Sequence, residues 1–178
     1  GIMDVYRTGG VNICSAPGSG IADDKAIYIY VPEMIKFYLG EQPILDNVET
    51  WNCEKEDHLK YVVDNISNLV IKEVDGSGGY GMLIGPKSSS VEIEEFKNKL
   101  IHNSNGYIAQ PLLDLSFSPT LIKNQVEGRR VDLRPFCLMG KEAQLNPGGL
   151  TRVAMNEGSF VVNSSQGGGV KDTWILAE

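Results

Sequence analysis

The segment LVIKEVDGSGGYGML, residues 69–83, places a lysine near the end of an apolar run and follows it with a glycine-rich loop. The β-branched and apolar residues of 69–74 predict a strand, and 80–85 predict a second strand across the loop. Glycines leave room for a ligand, their N–H groups can converge on an anion, and a lysine adds charge that matches phosphate. The segment predicts either a phosphate-binding hairpin or a tight glycine turn with a lysine that extends to solvent.

Two common nucleotide-binding motifs do not fit this loop. A Walker loop ends in lysine followed by serine or threonine and leads directly into a helix, and residues 76–81 have neither feature. The glycine-rich dinucleotide fingerprint needs that helix as well. If the loop binds phosphate, we expect it to act as a flexible lid, with Lys72 reaching underneath.

The composition bounds the class of protein. The chain has 178 residues, of which 42% are hydrophobic, enough for one domain or for two small lobes that share a cleft. Its formal net charge is −7, so nucleic acid is not an expected partner, because phosphate-backbone binding needs a basic face. No stretch is apolar enough to span a membrane, and no signal peptide is visible.

The cysteines and histidines do not predict a metal site. Cys14, Cys53 and Cys137 are far apart, odd in number and without metal-ligand spacing, which favours a reduced, cytoplasmic setting with buried or half-buried thiols. His58 and His102 are expected on helix surfaces. Because Gly1 is not an initiator and the opening residues resemble the middle of a domain, we expect the chain to be a piece of a longer protein.

Local patterns predict a mixed α+β fold with antiparallel sheets. Asp23 and Asp24 suit a helix N-terminus, and Pro32 to Leu39 suit a short helix closed by Gly40. Further helices are predicted over 54–68 and 88–103. Residues 1–20 are expected to form a short strand and a loop, and 116–128 a turn-rich stretch. Further strands are predicted at 106–115, 129–145 (a pair turning at Gly140), 148–155 and 158–163.

A set of basic residues stands out in this acidic chain. Lys25 is expected at a helix start and Lys72 on a strand, and two arginines, Arg134 and Arg152, lie in later strand segments. Asp132 and Arg134 are two apart and so share a strand face. They predict either an oriented catalytic arginine or an ordinary surface ion pair. The set suits a nucleotide triphosphate and an acyl-phosphate intermediate.

Six segments, in this order and spacing, resemble the circularly permuted ATP-grasp family related to glutathionylspermidine synthase. They are GSGIADDKAIY, LVIKEVDGSGGYGML, YIAQPLLDLSFSPT, VDLRPF, PGGLTRVA and QGGGVKDTW. The resemblance implies an ATP-grasp-like α+β fold, with two small lobes flanking a nucleotide cleft and incomplete in this chain. The lobe with the lysines and the lid would span about 25–105, and the hinge and arginine-bearing sheet about 106–178.

The resemblance also implies roles for individual residues. Lys25 and Lys72 would hold the phosphates of ATP, and Arg134 and Arg152 would face the γ-phosphate and the acyl-phosphate, with Asp132 orienting Arg134. The remaining nucleotide-binding residues would be the lid, Gly76, Ser77, Gly78 and Gly79 within 76–81, and the adenine hinge, Gln110, Pro111, Leu112 and Leu113. A proline is tolerable in such a hinge because Pro111 keeps its acceptor carbonyl and Leu113 keeps its donor N–H.

The expected magnesium ligands are not found in the sequence. A carboxylate-x-asparagine motif is typical of the family, and residues 155–158, MNEG, do not form it. We therefore expect Mg²⁺ to be bound mostly by residues outside this chain.

The resemblance implies an ATP-dependent carboxylate–amine ligase that acts through an acyl-phosphate on small carboxylate and amine or peptide substrates. The isolated chain is expected to be inactive and to expose apolar surface that favours self-association. Two alternatives stay open: a nucleotide-binding or pseudo-enzyme module without catalysis, and an interaction domain whose loops bind no nucleotide.

Overall fold

The computed structural model describes residues 1–176 and divides the chain into two units. Unit 1 consists of Gly1–Asp75 and Met82–Pro111, and unit 2 of Gly76–Gly81 and the residues from Leu112 on. The glycine loop is thus grouped with the second unit, whereas the sequence analysis assigned it to the lysine lobe. The chain passes from unit 1 to unit 2 between Pro111 and Leu112, inside the predicted hinge.

Unit 1 combines helices with a four-stranded antiparallel sheet of order β1-β4-β2-β3. Its elements in chain order are α1 Ile2–Arg7, α2 Val31–Leu39, β1 Trp51–Asn52, α3 Glu56–Asn65, β2 Leu69–Glu73, β3 Leu83–Ile84, α4 Ser90–His102 and β4 Tyr107–Pro111. Short 3₁₀ helices occur at Ser19–Asp23, Ile27–Tyr30, Ile66–Asn68, Gly85–Lys87 and Ser104–Gly106.

The pleat of β2 and β4 directs successive side chains to opposite faces of the unit 1 sheet. Leu69, Ile71 and Ala109 lie in one buried cluster with Val62 of α3, while Leu100 of α4 completes that core. Side chains alternate between the two faces of a strand. Lys72 and Gln110 therefore project from the opposite face, which they share with the buried residues Val70 and Ile108.

Unit 2 is an antiparallel meander in which consecutive strands pair. Its strands are β5 Phe117–Ile122, β6 Gln125–Met139, β7 Ala143–Val153 and β8 Gly169–Asp172, with a 3₁₀ helix at Ser164–Gln166. Within its described residues the unit has no α-helix, so the α-helices of the α+β fold lie in unit 1. The long β6–β7 ribbon exposes apolar side chains near its turn, among them Leu138, Met139 and Leu145.

Most elements with strong local signals form as predicted. The overall α+β class, the antiparallel sheets, α2, α3 and α4 are confirmed. Gly40 ends α2 in the left-handed conformation at φ 68°, which glycine adopts without strain. Ser89 caps α4 and exchanges hydrogen bonds with Glu92 in a capping box.

Other predictions are wrong for local reasons. Residues 1–20 contain the helix α1 where a strand was expected, with Asp4 in its first turn and Arg7 in its last. Asp24 precedes the 3₁₀ helix Ile27–Tyr30 and not an α-helix, and its carboxylate accepts from the Ala26 N–H at 2.7 Å in the turn between two 3₁₀ helices. The stretch 116–128 holds β5 and the start of β6.

The predicted strand 158–163 does not form. The Ser159 hydroxyl contacts both backbone groups of Val161, accepting from its N–H at 3.1 Å and donating to its carbonyl at 3.2 Å. Such side-chain bonds to neighbouring backbone compete with strand pairing.

The cysteines differ in exposure. Cys53 is buried, and burial raises the pKa of its thiol to about 12, whereas Cys14 and Cys137 are exposed, contrary to the prediction for these two. None of the helices in the described part of the chain is long and apolar enough to cross a membrane.

Candidate functional site

Lys72 lies near the end of β2, on the sheet face opposite the buried cluster of Leu69 and Ile71. Its Nζ donates to Oε1 of Gln110 at 2.7 Å, and Nε2 of Gln110 donates to Oγ1 of Thr50 at 2.9 Å. The register explains the first contact, because Val70 pairs with Gln110 and Lys72 with Ile108, which makes the lysine and the glutamine diagonal neighbours on one face. The partner seen for this ammonium group is therefore a neutral amide.

Lys25 lies close to the same place. It occupies the turn between the first two 3₁₀ helices, and both its N–H and its Nζ donate to the carbonyl of Val74, at 3.0 and 3.3 Å. Burial lowers the pKa of Lys72, and the positive charge of Lys25 lowers it further. A half-buried ammonium group beside a second cation is stabilised when an anion is placed next to it.

The predicted hinge begins inside β4. Val74 N–H donates to the Gly106 carbonyl at 2.9 Å, so these two residues form a hydrogen-bonded pair next to the β2–β4 ladder. Hydrogen-bonded and non-hydrogen-bonded residue pairs alternate along an antiparallel ladder. By that alternation Pro111 falls on a non-bonded pair opposite Leu69, so its missing N–H costs no bond to β2. The N–H of Leu113 makes no hydrogen bond to another residue within 1–176.

The glycine loop of unit 2 is held by a second glycine-rich segment. Gly78, Gly79 and Gly81 all have positive φ, between 68° and 80°, a backbone region that strains other residues. The carbonyl of Gly78 accepts from Oγ of Ser165 at 3.3 Å and from Nε2 of Gln166 at 3.0 Å. These bonds place the candidate lid, which also includes Gly76 and Ser77, against the 3₁₀ helix at Ser164–Gln166.

Arg134 is fixed by two acceptors. Its Nη2 donates to Oδ2 of Asp132 at 3.0 Å and to Oδ1 of Asn163 at 3.1 Å. The predicted contact between Asp132 and Arg134 on one strand face is thus present. Asp132 also accepts from the backbone N–H of Arg152 at 3.3 Å, because the two residues pair across β6 and β7.

Arg152 carries an unsatisfied buried group. Its Nε is buried and has no hydrogen-bond partner among the described residues. The neighbouring Arg129 and Arg130 differ, because they form ion pairs with Glu127 and Asp114. A buried donor without a partner is costly, and on a guanidinium it fits an anionic acceptor.

The structure brings the predicted residues together in two groups. Lys25, Lys72 and Gln110 meet in unit 1, and in unit 2 Asp132 contacts both Arg134 and Arg152. Across residues 1–176 no group of three or more histidine, cysteine, aspartate or glutamate side chains is arranged to hold a metal ion. The described residues thus place cationic side chains together within each unit.

Four contacting residues were not named individually as site residues from the sequence, although Gln166 opens the QGGGVKDTW segment: Thr50, Asn163, Ser165 and Gln166. The polar run NSSQ directly before the second glycine cluster was the available signal for three of them. Thr50 has no such signal, since it meets Gln110 across 60 residues.

Comparison with known proteins identifies the family. The family model described as circularly permuted ATP-grasp, type 2, matches residues 1–154. The chain belongs to this ATP-grasp family. The resemblance to the circularly permuted ATP-grasp family is thereby confirmed, as is the ATP-grasp-like class of fold.

The relatives of this ATP-grasp chain are longer proteins. An uncharacterized protein of Synechocystis sp. is 57% identical over 99% of the chain, which covers 37% of that protein. An uncharacterized protein of Mycobacterium tuberculosis is 51% identical over 99% of the chain, covering 32% of that protein. A Frankia casuarinae protein named "Putative glutamate--cysteine ligase 2-2" is 44% identical over 98% of the chain, which covers 20% of that protein. The chain thus spans between 20% and 37% of the length of these relatives.

Proposed function

We propose that this chain is the nucleotide-holding part of an ATP-dependent ligase that joins a carboxylate to an amine through an acyl-phosphate. The observation that carries the proposal is the Lys72 ammonium, half-buried beside Lys25 and bonded to a neutral amide. That arrangement leaves the charge of Lys72 for an anion, and polyphosphate is the anion that ATP-grasp proteins in general bind. The orphaned Nε of Arg152 supports the same conclusion in unit 2.

Each group of residues has one task in this proposal. Lys25 and Lys72 bind phosphate oxygens, and the glycine loop of 76–81 covers them. Residues 110–113 contact adenine through the Pro111 carbonyl and the Leu113 N–H. Arg134, held by Asp132 and Asn163, and Arg152 stabilise the negative charge that develops during transfer of the γ-phosphoryl group.

The proposed reaction has two balanced steps. An oxygen of the substrate carboxylate bonds to the γ-phosphorus while the bond to the bridging oxygen breaks, which releases ADP. The amine nitrogen then bonds to the acyl carbon, phosphate leaves with the former carboxylate oxygen, and the amine gives up a proton to solvent. Magnesium would neutralise the phosphate oxygens, and we propose that its ligands lie mostly outside this chain.

The names of the Frankia relatives support a ligase only as a class. The matched region is a fifth of the Frankia casuarinae protein, and the name describes the whole of it. Glutamate and cysteine are therefore the first pair to test and not an assignment.

Oxygen-18 transfer tests the proposal on the full-length protein. ATP would be supplied with ¹⁸O-labelled carboxylic acids, beginning with glutamate, and with amines, beginning with cysteine. The expected result is release of ADP that needs both partners, with one ¹⁸O recovered in inorganic phosphate for each amide formed. Label recovered in AMP would contradict the acyl-phosphate route. A different outcome is that the protein binds an ATP analogue and yet releases no ADP from ATP with any acid–amine pair from a panel of amino acids and polyamines. That result would favour the nucleotide-binding module.

A further inference from the structure

The segment 47–50 connects the surroundings of both lysines in unit 1. Thr50 accepts a hydrogen bond from Nε2 of Gln110 at 2.9 Å and donates to the Val48 carbonyl at 2.8 Å. The N–H of Val48 in turn donates to the Tyr28 hydroxyl at 2.7 Å, and Nδ2 of Asn47 donates to the Tyr28 carbonyl at 2.8 Å. A chain of hydrogen bonds through this segment therefore links Tyr28, three residues after Lys25 in the sequence, to Lys72.

The direction of the Gln110 amide is decided by Thr50. The Thr50 hydroxyl uses its hydrogen on Val48, and its oxygen therefore acts as the acceptor for Gln110. This bond holds the NH₂ group of Gln110 toward Thr50 and turns Oε1 toward the Lys72 ammonium, 2.7 Å away. A flipped amide would place a donor against Lys72, which is itself a donor.

We infer that Thr50 is a positioning residue, which fixes the Lys72 ammonium for phosphate binding through the side chain of Gln110. The inference rests on the proposed nucleotide site, and it adds a part that sequence analysis did not assign. Lys72 needs such support because it is half-buried next to another cation, and a long, flexible side chain in that setting would otherwise turn toward solvent. The neutral amide holds the ammonium without cancelling its charge.

The test compares two ligands on the full-length protein. Thr50→Val keeps the shape of the side chain and removes the hydroxyl. We expect it to weaken binding of a nonhydrolysable ATP analogue about fivefold and to leave adenosine binding unchanged, because only the analogue has phosphates. Thr50→Ser should restore binding of the analogue to within about twofold of the wild type.

The matched control is Thr120→Val. Thr120 makes the same local bond as Thr50, donating to the carbonyl two residues earlier at 3.0 Å, but lies on β5 of unit 2. Its substitution should change neither affinity. Gln110→Met should weaken binding of the analogue at least as much as Thr50→Val does, and Thr50→Val added to Gln110→Met should cause no further loss. Gln110→Met also carries the test if Thr50→Val fails to fold.

Three results would overturn the inference. Equal losses for adenosine and for the analogue in Thr50→Val would indicate a merely structural role. Unchanged affinities in Thr50→Val and Gln110→Met, together with weakened binding in Lys72→Met, would show that Lys72 acts without this support. If Lys72→Met itself leaves binding of the analogue unchanged, the proposed nucleotide site fails, and the inference fails with it.

Discussion

Arg134 and Asn163 are joined by a hydrogen bond from Nη2 to Oδ1 at 3.1 Å, across 29 residues of sequence. Asn163 immediately precedes the 3₁₀ helix at Ser164–Gln166, which holds the candidate lid through the Gly78 carbonyl. One short segment therefore contacts both a proposed catalytic arginine and the loop proposed to cover the phosphates. This relationship within unit 2 suggests that lid position and arginine orientation depend on each other.

Replacing Asn163 should affect turnover more than binding. Asn163→Ala removes one of the two acceptors of Arg134 Nη2 and leaves the other, Asp132. The guanidinium then becomes less well oriented toward the transferring phosphoryl group. We expect kcat for ADP release by the full-length protein to fall about tenfold, with a change in analogue affinity below about twofold. Asn98→Ala on the exposed face of α4 is the control. Parallel losses in kcat and in affinity would argue against a role in orientation.

Replacing Gln166 should loosen the lid. In Gln166→Leu the Gly78 carbonyl keeps only the longer bond from Ser165, so the loop opens more often. Hydrogen exchange should show faster exchange across 76–81, about fivefold for the loss of one such bond, with no change in α4. Gln144→Leu, on an exposed position of β7, should leave the loop unchanged. Equal exchange in both variants would show that Gln166 does not restrain the lid.

The titration of Lys72 gives a prediction about charge. Burial and the charge of Lys25 both lower its pKa below the usual 10.5, so ¹³C-lysine NMR should show Lys72 losing its proton before ordinary lysines, and Lys25→Met should move that pKa upward. The folded state releases this proton at a lower pH than the unfolded chain does. Lys72 therefore makes the free energy of unfolding larger as pH rises from its folded-state pKa to its unfolded-state pKa. Lys72→Met should lack this gain. A Lys72 pKa at or above 10.5 would contradict the described surroundings.

The cap of α4 provides a prediction that is independent of function. Ser89→Ala removes the capping box, and hydrogen exchange in the first turn of α4 should become about fivefold faster at neutral pH. Hydrogen bonds from Ser89 lower the pKa of Glu92 in the folded state. The stabilisation that the Glu92 carboxylate gives to the folded state is therefore present above the pKa of Glu92 in the unfolded chain, and it is lost as pH falls through the pKa of Glu92 in the folded state. The difference between variant and wild type should therefore shrink in acid. Ser90→Ala, one residue on, should have little effect, and an equal effect there would rule out the cap as the cause.

The sequence predicted those parts of the fold whose causes are local. Ser89 with Glu92 starts α4, Gly40 ends α2, and apolar spacing defines α3. It failed at 158–163, where one hydroxyl of Ser159 redirects the backbone away from a strand. A pattern of apolar residues does not reveal that competition.

The candidate site divides in the same way. Residues of distinctive chemistry, such as Lys72 and Arg134, could be selected from the sequence because charge is uncommon on buried or half-buried strands. Thr50 and Asn163 could not be selected in this way. Thr50 contacts Gln110, 60 residues away, and Asn163 contacts Arg134, 29 residues away, and these partners become neighbours only in the folded chain. An ordinary threonine or asparagine carries no mark of such a role.

The most direct test of the central claim is a crystal structure of the full-length protein with a nonhydrolysable ATP analogue and magnesium. We predict that the ammonium groups of Lys25 and Lys72 and the guanidinium groups of Arg134 and Arg152 all contact one triphosphate, with residues 110–113 against its adenine. A nucleotide bound elsewhere, or one that contacts the lysines while both arginines remain directed at other groups, would contradict the account.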